Sequence, residues 1–455
     1  MNAKDGGDPR RRTDADEVGH PDLRLNELTY EIAIIGAGAA GLSTAIFTRR
    51  LNPSRSVLLI DSAVRPGAKI LVSGGSRCNV TNVAVTERDF NGGSPAVIRR
   101  ILKAFPPGEV VDWFRSLGVP LHEEAHGKLF PDSNRSRDVL DALLDECRHC
   151  GVGLVTGTRV ETITAGFSDP GSRSPDPGTM RSAFILHTTR SQIRAQAVVM
   201  ATGGLSLPKT GSDGRGLSIA ESLGHTIVPT TPALVPLVTL NDQPLCRALS
   251  GVSQESELAL WLDGSVSHRL RGSLLWTHFG LSGPVVLDMS RHWLRARLQG
   301  RAARITLNLT GGETFESLER SWTTQTAAKP RTSLQGLLAD IIPAAVAAAI
   351  LERIGLDPAN QIANLSRLDR RRLIHAVIEW PVNISDSRGY NYAEATAGGV
   401  ALDEIDPSTM ESRRCPGLYL VGEMLDVDGR IGGFNFQWGW ASARVAARAI
   451  ASHQF

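Results

Sequence analysis

The chain has few of the features that mark several large classes of protein. Its 455 residues include only five cysteines, an odd number spread over a long chain, which argues against the disulfide framework of a secreted protein. Lysine plus arginine (49) nearly balances aspartate plus glutamate (47), so nucleic acid is not expected as a partner. No apolar run approaches the roughly 18 residues of a membrane span, and residues 1–25 contain no apolar segment typical of a secretory signal. These absences predict a cytoplasmic protein that does not enter a membrane.

The motifs of several enzyme classes are also missing. The chain has no G-x-S-x-G, H-E-x-x-H or G-x-x-x-x-G-K-[ST] pattern, so serine-hydrolase, zincin and P-loop functions lack their characteristic residues. Cys147 and Cys150 form a C-x-x-C at a predicted helix end, but no second pair completes a zinc site. We interpret that spacing as coincidence and predict no metal.

Apolar patterning predicts a parallel α/β sheet formed from both ends of the chain. A buried strand from Tyr30 (YEIAII) leads into GAGAAG and an Ala-rich helix, and the run SVLLI then ends in Asp61. Strand patterns return in AQAVVMATGG (195–204) and GLYLVGE (417–423), and a helix is predicted from Gln437 to Ala451. Between them, residues 234–309 alternate as antiparallel strands do, and residues 334–372 have helical patterning.

This pattern predicts a Rossmann-type domain interrupted by an inserted domain. We assign residues 1–28 to a disordered N-terminal arm, 29–207 to the first part of the cofactor domain, 208–393 to an inserted β-rich and helical domain, and 394–455 to the second part of the cofactor domain. Within the first part, residues 166–180 are rich in Gly, Pro, Ser and Asp and predict a loop between two strands.

Three glycines predict a dinucleotide site. Gly36, Gly38 and Gly41 form a G-x-G-x-x-G between a strand and a helix, and glycine is needed at each position for a different physical reason. The first permits the tight turn, the second lets a pyrophosphate approach the backbone, and the third allows the helix to pack against the sheet. Asp61 ends the next strand, where its carboxylate can accept hydrogen bonds from ribose hydroxyls.

Other segments decide which dinucleotide is expected. Four further segments accompany the glycine motif. They are residues 66–82 (PGAKILVSGGSRCNVTN), 273–284 (SLLWTHFGLSGP), 395–400 (ATAGGV) and 408–443, the last of which contains DVDGRIGGFNFQWGWA. Together they resemble the BaiN-type (YhiN-type) bacterial NAD(P)/FAD-dependent oxidoreductases, within the glutathione-reductase-like FAD superfamily. The resemblance extends over most of the chain from about residue 29.

This resemblance implies that the cofactor is FAD, bound in an extended form. The adenosine end would lie on Gly36, Gly38, Ala39, Ala40, Gly41, Asp61 and Ser62. The pyrophosphate and flavin side would lie on Lys69, Ser73, Gly74, Arg77, Cys78, Asn79, Val80, Thr81, Gly203, Gly204, Gly422 and Glu423. Near the flavin, Gly432, Gly433, Phe434 and Asn435 precede the last helix, whose N–H groups can stabilise negative charge on a reduced flavin.

A few residues are candidates for the chemistry itself. His278 could supply a proton near the flavin, since histidine titrates close to neutral pH, although a structural histidine is an alternative. Arg77 could hold a phosphate or a substrate carbonyl, and Tyr390 and Tyr392 could face the cleft. Cys78 lacks a partner cysteine nearby, so we interpret it as packing beside the cofactor.

The predicted function is an FAD-dependent oxidoreductase that transfers hydride through flavin N5. NADH or NADPH would be the electron donor, and the substrate would be a small, unsaturated organic molecule bound between the domains. Because the chain has one G-x-G-x-x-G, a nicotinamide would have to enter the flavin cleft itself. Two alternatives stay open, namely a flavin-dependent RNA-modifying enzyme and an FAD-binding sensor without turnover.

Overall fold

A computed structural model describes residues 28–166, 184–240 and 243–453 of the chain. The predicted arm, apart from Leu28, and the predicted loop, apart from Gly166, lie outside the described residues. The first part of the chain contains strands β1 (Leu28–Ile35), β2 (Val57–Ile60), β3 (Thr81–Asn82), β4 (Phe90–Gly92), β5 (Leu121–Glu124), β6 (Lys128–Pro131), β7 (Gly153–Val155), β8 (Val160–Ala165), β9 (Phe184–Thr188) and β10 (Gln192–Met200). Its helices are α1 (Ala39–Leu51), α2 (Ala68–Ser76), α3 (Pro95–Leu102), α4 (Pro107–Ser116) and α5 (Ser136–His149).

The rest of the chain adds eleven strands and eight helices within the described residues. The strands are β11 (Ile227–Ala233), β12 (Leu237–Thr239), β13 (Ser253–Leu262), β14 (Ser265–Thr277), β15 (Gly280–Ser282), β16 (Ala303–Asn308), β17 (Trp380–Val382), β18 (Ile384–Ser387), β19 (Ala395–Val400), β20 (Leu418–Leu420) and β21 (Val427–Gly429). The helices are α6 (Arg215–Ser222), α7 (Gln243–Ala248), α8 (Pro284–Leu298), α9 (Phe315–Ala328), α10 (Leu334–Ala339), α11 (Ala344–Ile354), α12 (Arg367–Ile378) and α13 (Phe434–Ser452).

The predicted α/β fold class is confirmed by a seven-stranded sheet that joins both ends of the chain. Its order is β7-β2-β1-β10-β9-β8, and β20 also pairs with β10. Strands β7, β2, β1, β10 and β20 run parallel, whereas β9 pairs antiparallel with β10 and β8 pairs antiparallel with β9. The first half of β10 pairs with β9 and its second half with β20. The late strand β20 therefore belongs to the same sheet as β1, so this sheet combines strands from the first and the last part of the chain.

A second sheet forms the centre of the intervening region. Its seven strands, in the order β17-β16-β13-β14-β15-β12-β18, are all antiparallel. Helix α8 packs against this sheet, although the sequence pattern predicted strands there. Pro284 at the first helical turn favours helix initiation, and Val286, Met289 and Trp293 recur on one buried face. The apolar residues of this segment therefore follow helical spacing, although the residues around it alternate as strands do.

Two hydrophobic cores correspond to the two sheets. One core contains buried residues from both 32–220 and 400–450, and the other lies within residues 237–382. The two segments that connect these regions pair with each other as a two-stranded antiparallel ribbon, β11 with β19. The domain boundaries assigned from the sequence remain a prediction. No described helix is long and apolar enough to cross a membrane.

Candidate active site

The glycine turn after β1 has the geometry expected of a dinucleotide site. Gly36 has a φ of +102°, and a Cβ there would lie 2.4 Å from the Ala201 carbonyl oxygen. A Cβ at Gly41 would lie 1.9 Å from the Gly36 carbonyl oxygen, so only glycine lets α1 approach this closely. A Cβ at Gly38 would meet nothing within 4 Å. Two glycines are therefore needed by the protein itself, while Gly38 leaves space for a ligand.

Asp61 is held at the end of β2 by two backbone groups. Its Oδ2 accepts a hydrogen bond from the Ala37 N–H at 2.6 Å, and its Oδ1 accepts one from the Ala63 N–H at 2.7 Å. Burial raises the pKa of the Asp61 carboxyl, while the same two N–H groups lower it. Each oxygen keeps a second lone pair. The carboxylate can therefore accept further hydrogen bonds from ligand hydroxyls.

A polar network fixes the acid that follows β20. Lys69 Nζ lies 2.5 Å from Glu423 Oε2 and 2.8 Å from Ser206 Oγ. Glu423 Oε1 accepts hydrogen bonds from Ser206 Oγ at 2.5 Å and from the N–H and hydroxyl of Thr396 at 3.1 and 3.0 Å. The sequence analysis found Lys69 and Glu423 but missed Ser206 and Thr396. Thr396 lies within the segment ATAGGV and Ser206 lies in no quoted motif, and in both cases only the contacts show that the residue holds the acid in place.

The loop after α2 presents an unpartnered acceptor. The chain leaves helical geometry at Ser73, Gly74 and Gly75, and Cys78 has a φ of +63°. The Asn79 Oδ1 atom is buried and has no hydrogen-bond partner among the described residues. Burial raises the pKa of the Cys78 thiol to about 12. Because the thiolate is the reactive form, a cysteine with this pKa is unreactive, as expected of a packing residue.

The last helix begins at a second glycine turn beside this loop. Gly433 has a φ of +92°, and a Cβ there would lie 2.5 Å from the Thr81 carbonyl oxygen and 2.9 Å from Asn79 Oδ1. Helix α13 begins at Phe434, three residues before the predicted start. The first N–H groups of a helix have no partner within it and form its positive end. This end can therefore stabilise negative charge next to Asn79.

One continuous cavity of about 500 Å³ connects these features. The predicted cofactor residues that line it are Gly36, Gly38, Ala39, Ala40, Asp61, Ser62, Lys69, Ser73, Gly74, Arg77, Asn79, Gly203, Gly422, Glu423, Gly432, Gly433 and Asn435. The predicted residues that do not line it are Gly41, Cys78, Val80, Thr81, Gly204 and Phe434. The contact of the second group with a cofactor remains a prediction. The open space at Gly38 and the unpartnered oxygen of Asn79 fit an FAD molecule extended between the two glycine turns.

A charged group at the Gly432–Gly433 end was missed by the sequence analysis. Lys128, Glu394 and Arg430 line the cavity there, and Asp288 accepts the Ile431 N–H at 2.7 Å. Burial raises the pKa of Asp288 to about 6, against the lowering effects of the Ile431 N–H, Arg430 and Lys128. These four residues come from four separate parts of the chain. No spacing in the sequence could therefore have grouped them.

The predicted catalytic residues lie in different places. Arg77 lines the cavity, but its guanidinium lies 2.5 Å from Glu124 Oε1 and stacks 4.1 Å above the Phe130 ring. His278 is exposed in the turn between β14 and β15 and is not part of the cavity wall. Its role as a proton donor stays a prediction that this placement does not favour.

The two tyrosines lie near the cavity without lining it. The Tyr390 hydroxyl donates to Thr230 Oγ1 at 2.9 Å, and its carbonyl accepts the N–H of Leu207, which is a lining residue. Tyr392 is half exposed, with the Arg388 guanidinium 3.6 Å from its ring centre. Both side chains are already engaged outside the cavity.

The fold and the fit to an extended dinucleotide define the class of this protein as FAD-dependent oxidoreductase. Comparison with known families agrees, because the HI0933-like protein Rossmann domain family matches residues 30–449. The chain belongs to this family, which includes the BaiN-type and YhiN-type proteins that the sequence resembles.

Three curated relatives cover nearly the whole chain. A 3-dehydro-bile acid delta(4,6)-reductase of Clostridium scindens is 32% identical over 420 residues, which are 92% of this chain and 98% of the relative. A ribosomal RNA dihydrouridine synthase of Escherichia coli is 35% identical, with the same coverage of 92% and 98%. A protein of that name from Haemophilus influenzae is 31% identical, again covering 92% and 98%. The expectation that nucleic acid is not a partner therefore gains no support.

Solved structures with a related fold are more distant. Escherichia coli quinol fumarate reductase has a TM-score of 0.48 and 18% identity, covering 94% of this chain and 70% of that chain. The 3-ketosteroid-delta4-(5alpha)-dehydrogenase of Rhodococcus jostii RHA1 has a TM-score of 0.46 and 16% identity, covering 95% and 99%.

Proposed function

We propose that this protein is a reductase of carbon–carbon double bonds conjugated to a carbonyl group, with NADH or NADPH as electron donor and a small organic molecule as substrate. The observation that carries the proposal is the cavity itself. It runs from a dinucleotide turn to an end that is lined by both Glu394 and Lys128. Reduction of such a double bond needs a hydride and a proton at one place, and this end of the cavity adjoins the proposed flavin position.

The names of the relatives support this class of substrate. A 3-dehydro-bile acid with a Δ4 double bond is an enone, and the name of the Clostridium scindens relative describes its reduction. Dihydrouridine arises from uridine by reduction of a ring double bond that is also conjugated to a carbonyl. Both names describe one reaction type on different molecules. We carry over that shared reaction type, because substrate identity does not follow from fold.

Each part of the chain has a role in this proposal. Bound FAD supplies hydride transfer at its N5 atom. The turn at Gly38 and the N-terminus of α1 would hold the pyrophosphate, and Asp61 would accept hydrogen bonds from ribose hydroxyls. The N-terminus of α13 would stabilise negative charge at the flavin end. The β-rich domain would cover the cavity and exclude water.

The proposal is tested by following both half-reactions without oxygen. Purified protein should carry a flavin absorption spectrum that bleaches with NADH or NADPH. The reduced protein should then be reoxidised by cyclohexenone or progesterone, two conjugated enones, and mass spectrometry should find two added hydrogens in the product. Isolated alkenes without a carbonyl are the matched control and should leave the flavin reduced. Reoxidation by neither enone would contradict the small-molecule proposal.

A second candidate function is reduction of a uridine in ribosomal RNA. Two relatives at 35% and 31% identity carry the name ribosomal RNA dihydrouridine synthase, and this is the observation that favours it. The same reduced protein is mixed with ribosomal RNA stripped of protein and, as a control, with free uridine. Flavin reoxidation and dihydrouridine formation with RNA, but with neither enone, would establish this candidate instead.

A further inference from the structure

Glu394 is placed where a substrate would have to bind if the proposed reduction is correct, and the inference rests on that proposal. The residue immediately precedes β19 and lines the cavity. Its backbone is fixed, because its N–H donates to the Leu234 carbonyl at 3.2 Å, and Leu234 also lines the cavity. Its side chain is accessible to water, yet protein surrounds it closely enough to raise the pKa of the carboxyl. A side chain that faces an internal cavity has both properties, since water reaches it while protein surrounds it.

The Glu394 carboxyl has no hydrogen bond or ion pair with any described residue. The other cavity acids are occupied, since Asp61 accepts two backbone N–H groups and Glu423 binds Lys69, Ser206 and Thr396. Asp213, the remaining acid in the cavity wall, pairs with Arg159, and Asp288, which does not line the cavity itself, accepts the Ile431 N–H. A carboxyl without partners keeps both oxygens available to a ligand. Glu394 is therefore the cavity acid whose side chain is free to act on one.

The surroundings of Glu394 favour its protonated form. The charged groups that act on this end are Lys128 of β6, Asp288 of α8 and Arg430 of the turn before α13. Burial is the main cause that raises the pKa of Glu394, the negative charge of Asp288 raises it further, and Lys128 lowers it. Enclosure by protein and a neighbouring acid both oppose a second negative charge.

Glu394 also lies next to the segment that would hold the flavin. The small apolar cluster of Ala233, Leu234, Leu287, Ala395 and Ala397 packs against Ile431, which directly precedes Gly432 and Gly433. A substrate between this cluster and the second glycine turn would have the flavin on one side and Glu394 within reach. The other candidate donors are less suitable, because His278 is not in the cavity wall and Tyr390 donates its hydroxyl to Thr230.

We propose that Glu394 is the proton donor of the reduction, acting on a conjugated carbonyl compound bound against the Leu234 cluster. Reduced FAD, as co-reactant, would supply the hydride, with its electron pair, to the β-carbon of the substrate, and the double bond would open towards the carbonyl. The O–H bond of Glu394 breaks, its proton forms the new C–H bond at the α-carbon, and Glu394 is left as a carboxylate. The substrate gains two hydrogens, the flavin loses two electrons, and solvent then reprotonates Glu394.

The central test compares Glu394→Gln with the wild-type holoenzyme in separate half-reactions. Reduction of the flavin by NADH or NADPH should change by less than about threefold, because no proton is delivered to substrate in that step. Reoxidation of the reduced flavin by progesterone should slow by a factor on the order of 100 to 10,000, the usual contribution of a general acid. The matched control is Glu352→Gln, an exposed glutamate on α11 outside the cavity wall, which should leave both rates unchanged.

A measurement without turnover tests the same inference. In protein carrying carbon-13-labelled glutamate, the signal that is lost in Glu394→Gln should titrate above the ordinary glutamate range. Acetate added to Glu394→Ala should restore part of the reoxidation rate.

The outcomes separate this inference from the proposed function. Reoxidation of Glu394→Gln at the wild-type rate, or an ordinary pKa for Glu394, would overturn the role of this residue. If no conjugated carbonyl compound reoxidises the wild-type enzyme, the proposed function fails instead. The carbon-13 titration would then still decide whether Glu394 holds a proton.

Discussion

Gly38 and Gly41 belong to one motif, but the structure predicts opposite consequences when each is replaced by alanine. At Gly41 the added Cβ would lie 1.9 Å from the Gly36 carbonyl oxygen and 3.3 Å from Ala201 Cβ, so α1 must shift away from the sheet. Overpacking of this kind costs about 1–3 kcal/mol, and alanine returns up to about 1 kcal/mol through its helix propensity. We expect Gly41→Ala to lose about 1–2 kcal/mol of unfolding free energy.

At Gly38 the added Cβ meets no atom within 4 Å, and the φ of −84° is one that alanine adopts readily. The unfolding free energy of the FAD-free protein should therefore not fall, and the lower entropy of the unfolded alanine chain should raise it by about 0.4–1 kcal/mol. The same Cβ projects into the space proposed for the pyrophosphate. FAD affinity should consequently fall by more than about tenfold, or 1.4 kcal/mol.

Both quantities can be measured on the same preparations. Protein stripped of flavin is unfolded with urea while tryptophan fluorescence is followed, and FAD binding is measured by quenching of flavin fluorescence. Our expectation is that Gly41→Ala loses stability without FAD, whereas Gly38→Ala loses FAD affinity without losing stability. Equal destabilisation by the two variants, or normal FAD affinity in Gly38→Ala, would refute it.

Three further predictions follow from other buried groups. Burial acts to raise the pKa of Glu404, but hydrogen bonds from Thr226 and neighbouring side chains lower it to about 2. The lowered pKa contributes on the order of 3 kcal/mol to the stability of the folded protein above the ordinary glutamate pKa, and this contribution is lost as the pH falls through about 2. Acid unfolding of Glu404→Gln should therefore depend less on pH than that of the wild type between about pH 4.5 and 2. Asp61→Ala should weaken FAD binding more than Asp61→Asn, because asparagine keeps one acceptor oxygen for the backbone; equal losses in flavin titration would contradict this. Alkylation followed by peptide mapping should label the partly exposed Cys150 before the buried Cys78, and early labelling of Cys78 would contradict the packing role.

The sequence alone determined the features that depend on neighbouring residues. The turn at Gly36, Gly38 and Gly41 is a local strand–turn–helix unit, and its steric demands act within a few residues or on the adjacent strand. Asp61 could be identified because it follows a short buried strand at the usual distance from that turn. The parallel sheet was also predictable, since buried strands have continuous apolar runs.

Only the tertiary structure decided which side chains share the cavity. Lys69 and Glu423 are 354 positions apart, and no spacing rule connects them. Lys128, Asp288 and Glu394 come from a strand, a helix and a connection, so their electrostatic coupling arises only when these distant segments pack together. His278 is part of a distinctive motif, yet it lies on the surface, while the unremarkable Glu394 faces the cavity. The reason is physical: local sterics fix turns and strands, whereas burial, partner and charge environment depend on how distant segments pack.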